Sequence, residues 1–156
     1  MVENVLAKYK RLDILINNAA IYTKNDIFTQ SFEDWQAIWD EEILLNLRAP
    51  AMLSFLTGKH MAEAGGGKII NISSRGAFRG EPNAPQYGAS KAGLNALGQS
   101  LAQKFAPKGV YVYTVASGFI ETDMTVSRLS GDVGKAIRAQ SPLNRAGTPE
   151  EVAELL

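Results

Sequence analysis

Between positions 74 and 91 the chain carries a serine hydroxyl, a tyrosine phenol and a lysine ammonium: Ser74, Tyr87 and Lys91, in SRGAFRGEPNAPQYGASK. Tyr87 and Lys91 stand four apart, so on a helix they share one face, one turn from each other. Such a pair is common on helix surfaces and alone carries little. For a phenol to give and take protons near neutrality, its pKa of about 10 must fall by about two to three units, equivalent to about 3 to 4 kcal/mol. One ammonium held about 4 to 5 Å away at an effective dielectric of about 20 supplies that much. Lys91 is a sufficient cause.

Few other side chains offer acid-base chemistry. Cysteine is absent, which removes disulfides, thiolate nucleophiles and cysteine-ligated metals together. The single histidine, His60 in TGKHMAEAGGG, is expected at a solvated helix end. A serine-histidine-acid triad or a histidine-rich metal site is therefore hard to assemble, and no metal site is expected.

The balance of 16 basic and 16 acidic residues sets up no global field toward nucleic acid or an anionic membrane. Small molecules are the expected partners. At 156 residues, 46% of them hydrophobic, the chain is long enough to bury a core, and it reads as a single, incomplete domain over 1–156. MVENVLAKYKRL reads as an amphipathic helix too polar for a signal peptide, and no apolar run approaches the roughly 20 residues needed to span a bilayer. A cytoplasmic location is expected. Asn71-Ile72-Ser73 matches a glycosylation acceptor but falls in a predicted buried strand.

The elements that must position the trio follow from periodicity. Apolar runs at 12–17, 68–73 and 109–117 read as strands. The first two are almost continuously apolar, as parallel strands covered on both faces are. Helices are predicted over about 32–62, with Pro50 kinking or dividing it, and over about 86–106. This alternation implies an α/β fold with a doubly wound parallel sheet. Near the end, Thr148, Pro149 and Glu151 form a helix start with a capping box.

Ligands of open parallel sheets bind beyond the carboxyl ends of the strands. The three predicted strands end in Asn17-Asn18-Ala19-Ala20, in Ser73-Ser74, and in Ser117-Gly118 followed by Ile120, Glu121 and Thr122. The glycine- and proline-rich loop 75–86 then brings the start of the second long helix, with Tyr87 and Lys91, beside Ser74.

Taken together, Asn17-Asn18-Ala19-Ala20, Asn46 in NLRAP, Ser74 with Tyr87-Gly-Ala-Ser-Lys91, and ASGFIETDM resemble the short-chain dehydrogenase/reductases over nearly the whole chain. The resemblance implies a partial Rossmann-type fold and an NAD- or NADP-dependent oxidoreductase interconverting a carbonyl and a secondary alcohol. It makes Tyr87 the general acid in reduction and the base in oxidation, and Ser74 the donor to the reacting oxygen. Lys91 would hold the nicotinamide ribose, and Asn46 would position a water linked to Lys91. Asn18, Ala19, Ala20, Gly118, Ile120 and Thr122 would approach the cofactor, with Tyr87 and Lys91. A homo-oligomer is expected from the family's use of the two long helices as subunit interfaces.

Four departures from the family pattern stand out. The glycine-rich dinucleotide loop is not among these residues, and Gly65-Gly66-Gly67-Lys68 lacks the spacing of a phosphate loop. The usual Pro-Gly after the third strand reads Ser117-Gly118, and Ala20 replaces a glycine. The stretch from Trp35 to Asn46 is about four residues longer, through EEILL, a turn that rotates the following face by about 40°. The chain thus resembles the middle and later part of a larger domain, and the alternative is a truncated fragment that self-associates and catalyses nothing. Arg75 and Arg79 flank Ser74 and could pair with an acidic group on the substrate; the substrate could be a 3-oxoacyl thioester, a sugar, a polyol or another secondary alcohol, and the motifs lean to the first. Residues 125–147 resemble the family's substrate lid.

Overall fold

The computed structural model describes residues 1–122 and 125–156. Asp123 and Met124, the end of the ASGFIETDM stretch, lie outside the described residues. The chain divides into two units, Met1–Ala116 and Ser117–Leu156.

In the first unit, helix α1 (Val2–Tyr9) stops earlier than its amphipathic pattern because Lys10 turns left-handed, at φ 64°, and returns its N–H to Leu6 O at 2.9 Å. Strand β1 (Ile14–Asn17) pairs in parallel with β2 (Gly67–Ser74), Ile14 opposite Lys68 and Asn17 opposite Asn71. β3 (Val110–Ser117) completes the order β1-β2-β3. Three strands in sequence order, each separated by a helical crossover, form the α/β sheet predicted from the alternation.

The predicted 32–62 helix is three segments. Ser31 caps α2 (Phe32–Ile43) by accepting the Asp34 N–H at 3.1 Å. A π-helical stretch over Leu44–Arg48 follows, and α3 (Ala49–Glu63) continues from it. The division sits where Pro50 was expected to cause one. Proline has no N–H to offer the Asn46 carbonyl four residues back, and the Ala49 N–H reaches Leu44 O, five residues back. A π turn takes up more residues than an α turn.

α4 (Pro85–Phe105) opens with proline in its first turn, where the missing donor does no harm, and a short turn over Ala106–Lys108 leads to Gly109 at φ 71° and β3. Met61 of α3, Ile69 of β2 and Val110 of β3 are fully buried and pack with Leu12, Leu15, Phe105 and Val112. Each such side chain contributes about 1.5 to 3 kcal/mol. β2 is buried on both faces as expected, with Ile69 and Ile70 both enclosed, whereas β1 departs from that expectation. Ile14 and Ile16 remain 54% and 46% exposed, and Tyr111 and Tyr113 about half exposed. Asn71, of the glycosylation-like triplet, is wholly buried in β2.

The second unit carries a short turn at Val126–Arg128, α5 (Gly131–Arg138) and α6 (Pro149–Ala153). A parallel bridge joins Ile120 to Gly147. The predicted capping box is present: Thr148 accepts the Glu151 N–H and Glu151 accepts the Thr148 N–H. Arg145 meets the same carboxylate at 2.5 Å. Among the described residues, no helix is long and apolar enough to cross a membrane.

Candidate functional site

The carboxyl end of β2 and the first turns of α4 bring the trio together. Ser74 leaves the strand extended and accepts the Gly76 N–H at 3.1 Å, starting the turn over Arg75–Ala77. That turn directs the loop back to Pro85. The Tyr87 N–H donates to Ala84 O at 3.1 Å, and the Tyr87 and Ser74 side chains hydrogen-bond to each other. Lys91, 3% exposed, sits with Nζ 5.7 Å from the centre of the Tyr87 ring and donates to Ile72 O at 2.8 Å.

Burial dominates the electrostatics here. It pushes the Lys91 ammonium down to about 8, because a charge taken out of water is disfavoured. It also pushes the Tyr87 phenol above its usual value. The Ser74 bond opposes that rise, while Glu81, Glu42 and Tyr22 add to it. The spacing of Tyr87 and Lys91 predicts a phenol lowered by the ammonium. The sign is reversed because desolvation outweighs the rest, and because the ammonium lies over the ring and donates its hydrogen bond to a strand carbonyl, Ile72 O.

Asn46 is inside the π segment and 1% exposed. Its side chain holds both backbone groups of Ile21: Oδ1 accepts the N–H and Nδ2 donates to the carbonyl, each at 2.9 Å. Nδ2 also reaches Ser90 Oγ at 3.3 Å, and Ser90 Oγ donates to Tyr87 O at 2.8 Å. Asn46 thus lies two hydrogen bonds from the Tyr87 backbone. Its side chain fixes the loop after β1 and connects to the Tyr87 backbone, which leaves its backbone carbonyl as the group facing Pro50's missing donor.

At the end of β1, Asn17 is buried and donates to Asn71 Oδ1 at 2.8 Å and to Ser54 Oγ at 3.3 Å, so Asn18 and Ala19 emerge exposed and Ala20 half-buried. Arg75 is half-buried and Arg79 exposed in the loop after Ser74. Gly118, Ile120 and Thr122 belong to the second unit. There Gly118 is open, Ile120 makes the bridge to Gly147, and the Thr122 N–H donates to Thr125 Oγ1 at 2.9 Å. His60 does lie in the last turn of α3, but it is half-buried, with Nε2 out of reach of solvent, because that turn packs down on the sheet.

Sequence reasoning missed Glu42 and Gln86, both fully buried, and Ser90. It also missed Tyr22, whose ring meets Tyr87 edge-on at 5.0 Å. Ser90 was legible three residues after Tyr87 on the same helical face. A charged Glu42 amid IWDEEILL carried no periodic signal that would place it inside.

The family model described as Enoyl-(Acyl carrier protein) reductase matches residues 1–156. A 3-oxoacyl-[acyl-carrier-protein] reductase from Chlamydia pneumoniae is 39% identical over 154 residues, 99% of this chain and 60% of that protein. One from Aquifex aeolicus is 40% identical over 93% of this chain and 56% of its own length. Among solved structures, a candidate NAD(P)-dependent gluconate 5-dehydrogenase from Beutenbergia cavernae, with NADP bound at low occupancy, superposes with a TM-score of 0.85. It is 33% identical and is matched over 97% of this chain and 59% of that one. The chain thus spans about 60% of the length of the curated relatives it matches.

Proposed function

Because this chain belongs to the short-chain dehydrogenase/reductase family, we propose that it carries the catalytic centre of an NAD- or NADP-dependent oxidoreductase that reduces a ketone to a secondary alcohol. The carrying observation is the Ser74–Tyr87 hydrogen bond with the Lys91 ammonium 5.7 Å from the same ring. In this reading Tyr87 donates its phenolic proton to the carbonyl oxygen as that oxygen gains charge. Ser74 donates a hydrogen bond to the same atom, where a fixed donor in a dry site is worth most. Burial keeps the phenol protonated at neutral pH, the form that reduction consumes.

The donor set suits the nicotinamide end of a dinucleotide. Lys91 and Tyr87 would hold the ribose hydroxyls, and Asn18, Ala19 and Ala20 border the same mouth at the end of β1. Gly118, Ile120 and Thr122 are assigned to the nicotinamide by resemblance. The bound cofactor would supply the hydride. Lys91, held near 8, can pass a proton to the phenol after turnover, and the Asn46 carbonyl, lacking the Pro50 donor, can hold the water behind it.

The relatives' names favour a 3-oxoacyl thioester as substrate, with Arg75 or Arg79 meeting an acidic carrier. The test is oxidation of NADPH or NADH by the chain with acetoacetyl-coenzyme A, followed at 340 nm, together with calorimetry of nucleotide binding. Turnover is expected, and Tyr87→Phe is expected to reduce it by about 10²- to 10⁴-fold. Activity that survives this substitution overturns the assignment of the acid.

The bare faces of Ile14, Ile16, Tyr111 and Tyr113 favour a second reading for the 156 residues on their own. Exposed strand surface of this kind promotes association. In that reading the chain forms oligomers and binds nucleotide weakly, since the glycine-rich dinucleotide loop is not among its residues. A monomer in gel filtration that binds NADP removes it.

A further inference from the structure

The chemistry above leaves unused the most deeply buried charge in the first unit. Glu42, in the last turn of α2 and within the EEILL extension, is 0% exposed, as is Gln86, the residue before Tyr87. Glu42 Oε1 accepts the Thr23 N–H at 2.5 Å and a Gln86 Nε2–H at 3.1 Å. The same Nε2 donates to Thr23 O at 2.8 Å, and Gln86 Oε1 accepts from Asn25 Nδ2 at 2.8 Å. The Asn25 N–H then donates to Asn83 O at 2.9 Å, in the loop ahead of α4. These bonds join three segments distant in sequence: the end of α2, the loop after β1, and the start of α4.

The Oε2 atom of Glu42 is buried without a hydrogen-bond partner in the described structure. A carboxylate satisfied on one oxygen only is a costly way to hold a loop, and an amide of the same shape would bond Thr23 and Gln86 with a smaller desolvation penalty. The charge therefore calls for a role beyond scaffolding. We propose that Glu42 and Gln86 are positioning residues of the site, a buried carboxylate–amide clamp that fastens the loop after β1 to the first turn of α4, seating Tyr22 edge-on against Tyr87 and presenting a negative charge to its phenol.

Every element around Tyr87 contributes a group. Ser74 comes from β2, Lys91 from its own helix, Glu81 from the loop before α4, Tyr22 from the loop after β1, and Glu42 from α2. Glu81, Glu42 and Tyr22 all favour the protonated phenol. The clamp rests on the reading of Tyr87 as the acid only for its purpose; its geometry and charge are testable without turnover.

The experiment uses the full chain, two variants of the clamp, and Tyr87→Phe in each background as the titration reference. Hydrogen exchange at the Thr23 amide reports the clamp. Absorbance titration of tyrosine, taken as the difference from Tyr87→Phe and restricted to pH values where circular dichroism shows a folded chain, reports the phenol. Gln86→Met is expected to speed Thr23 exchange about tenfold. Glu42→Gln is expected to keep Thr23 protected while moving the Tyr87 midpoint to lower pH. Unchanged Thr23 exchange in Gln86→Met overturns the clamp, and an unmoved midpoint in a folded Glu42→Gln overturns the role of its charge. Both readouts stand even if the chain proves to reduce nothing, so a failure here is distinct from a failure of the proposed reaction.

Discussion

The two units of the chain are held by opposite kinds of polar contact. Around Tyr87 the bonds are buried: Asn46 to Ile21, Ser90 to Tyr87, Lys91 to Ile72, Glu42 to Thr23 and Gln86. In the unit from Ser117 onward the described ion pairs lie at the surface, Arg145–Glu151 about half exposed and Lys135–Asp132 largely exposed, and the bonds of Thr125 to Ile120 O and of Arg138 to Leu129 O are only part-buried. A buried polar group that loses its partner carries its full desolvation penalty, whereas an exposed one turns to water. The first unit is therefore built to hold one arrangement of functional groups, and the second is built from contacts that each contribute little.

The sharpest way to break this contrast is at Lys91. Its folded value of about 8 lies below the usual 10.5, so the folded chain binds fewer protons than the unfolded one between those pH values. Stability should therefore rise with pH from about 8 toward 10, until the raised phenol of Tyr87 begins to act in the opposite sense. Lys91→Met should flatten that rise and stabilise the chain at neutral pH by up to about 3 kcal/mol, while removing any oxidoreductase activity. Urea melts across pH 7 to 10, in steps of about half a unit, read this directly. A flat wild-type profile contradicts a buried, depressed lysine.

Asn46→Ala comes next, since it strips both backbone groups of Ile21 and the Ser90 hydroxyl of a buried partner. A loss of about 2 to 3 kcal/mol is expected, visible as a lower urea midpoint with an unchanged slope. Gly98→Ala sharpens the same point through packing. A methyl there meets Thr114 Oγ1 at 2.3 Å and Asn71 Nδ2 at 3.2 Å, and about 1 to 3 kcal/mol should be lost. Adding Thr114→Ala should return part of it, and full additivity of the two changes would show that the contact is not the cause.

The smallest effect is expected in the second unit. Glu151 is held down to about 2 by Arg145 and the Thr148 N–H. A depressed carboxylate contributes stability above its ordinary range, and that contribution fades as pH falls from about 5 toward 2. Because the pair is exposed, Glu151→Gln should shift the thermal melt only slightly at pH 7 and still less at pH 2. A large loss at neutral pH would erase the contrast between the units.

What the sequence determined by itself was everything local and periodic. Apolar runs marked three strands to within a residue or two, Pro50 marked the break in the long helix, Thr148 and Glu151 marked a capping box, and the four-residue step from Tyr87 to Lys91 placed both on one helical face. These follow from backbone geometry and short-range bonding, which neighbours in sequence already specify. Only the tertiary structure decided the rest. It turned Glu42 and Gln86 inward, closed the Asn46–Ile21 and Tyr22–Tyr87 contacts, and set a π segment between α2 and α3. It also raised the phenol that local charge alone would have lowered. Burial is the common reason: how much water a side chain loses depends on segments far away in sequence, and at Tyr87 and Lys91 that loss outweighs the pairwise effect that spacing predicts.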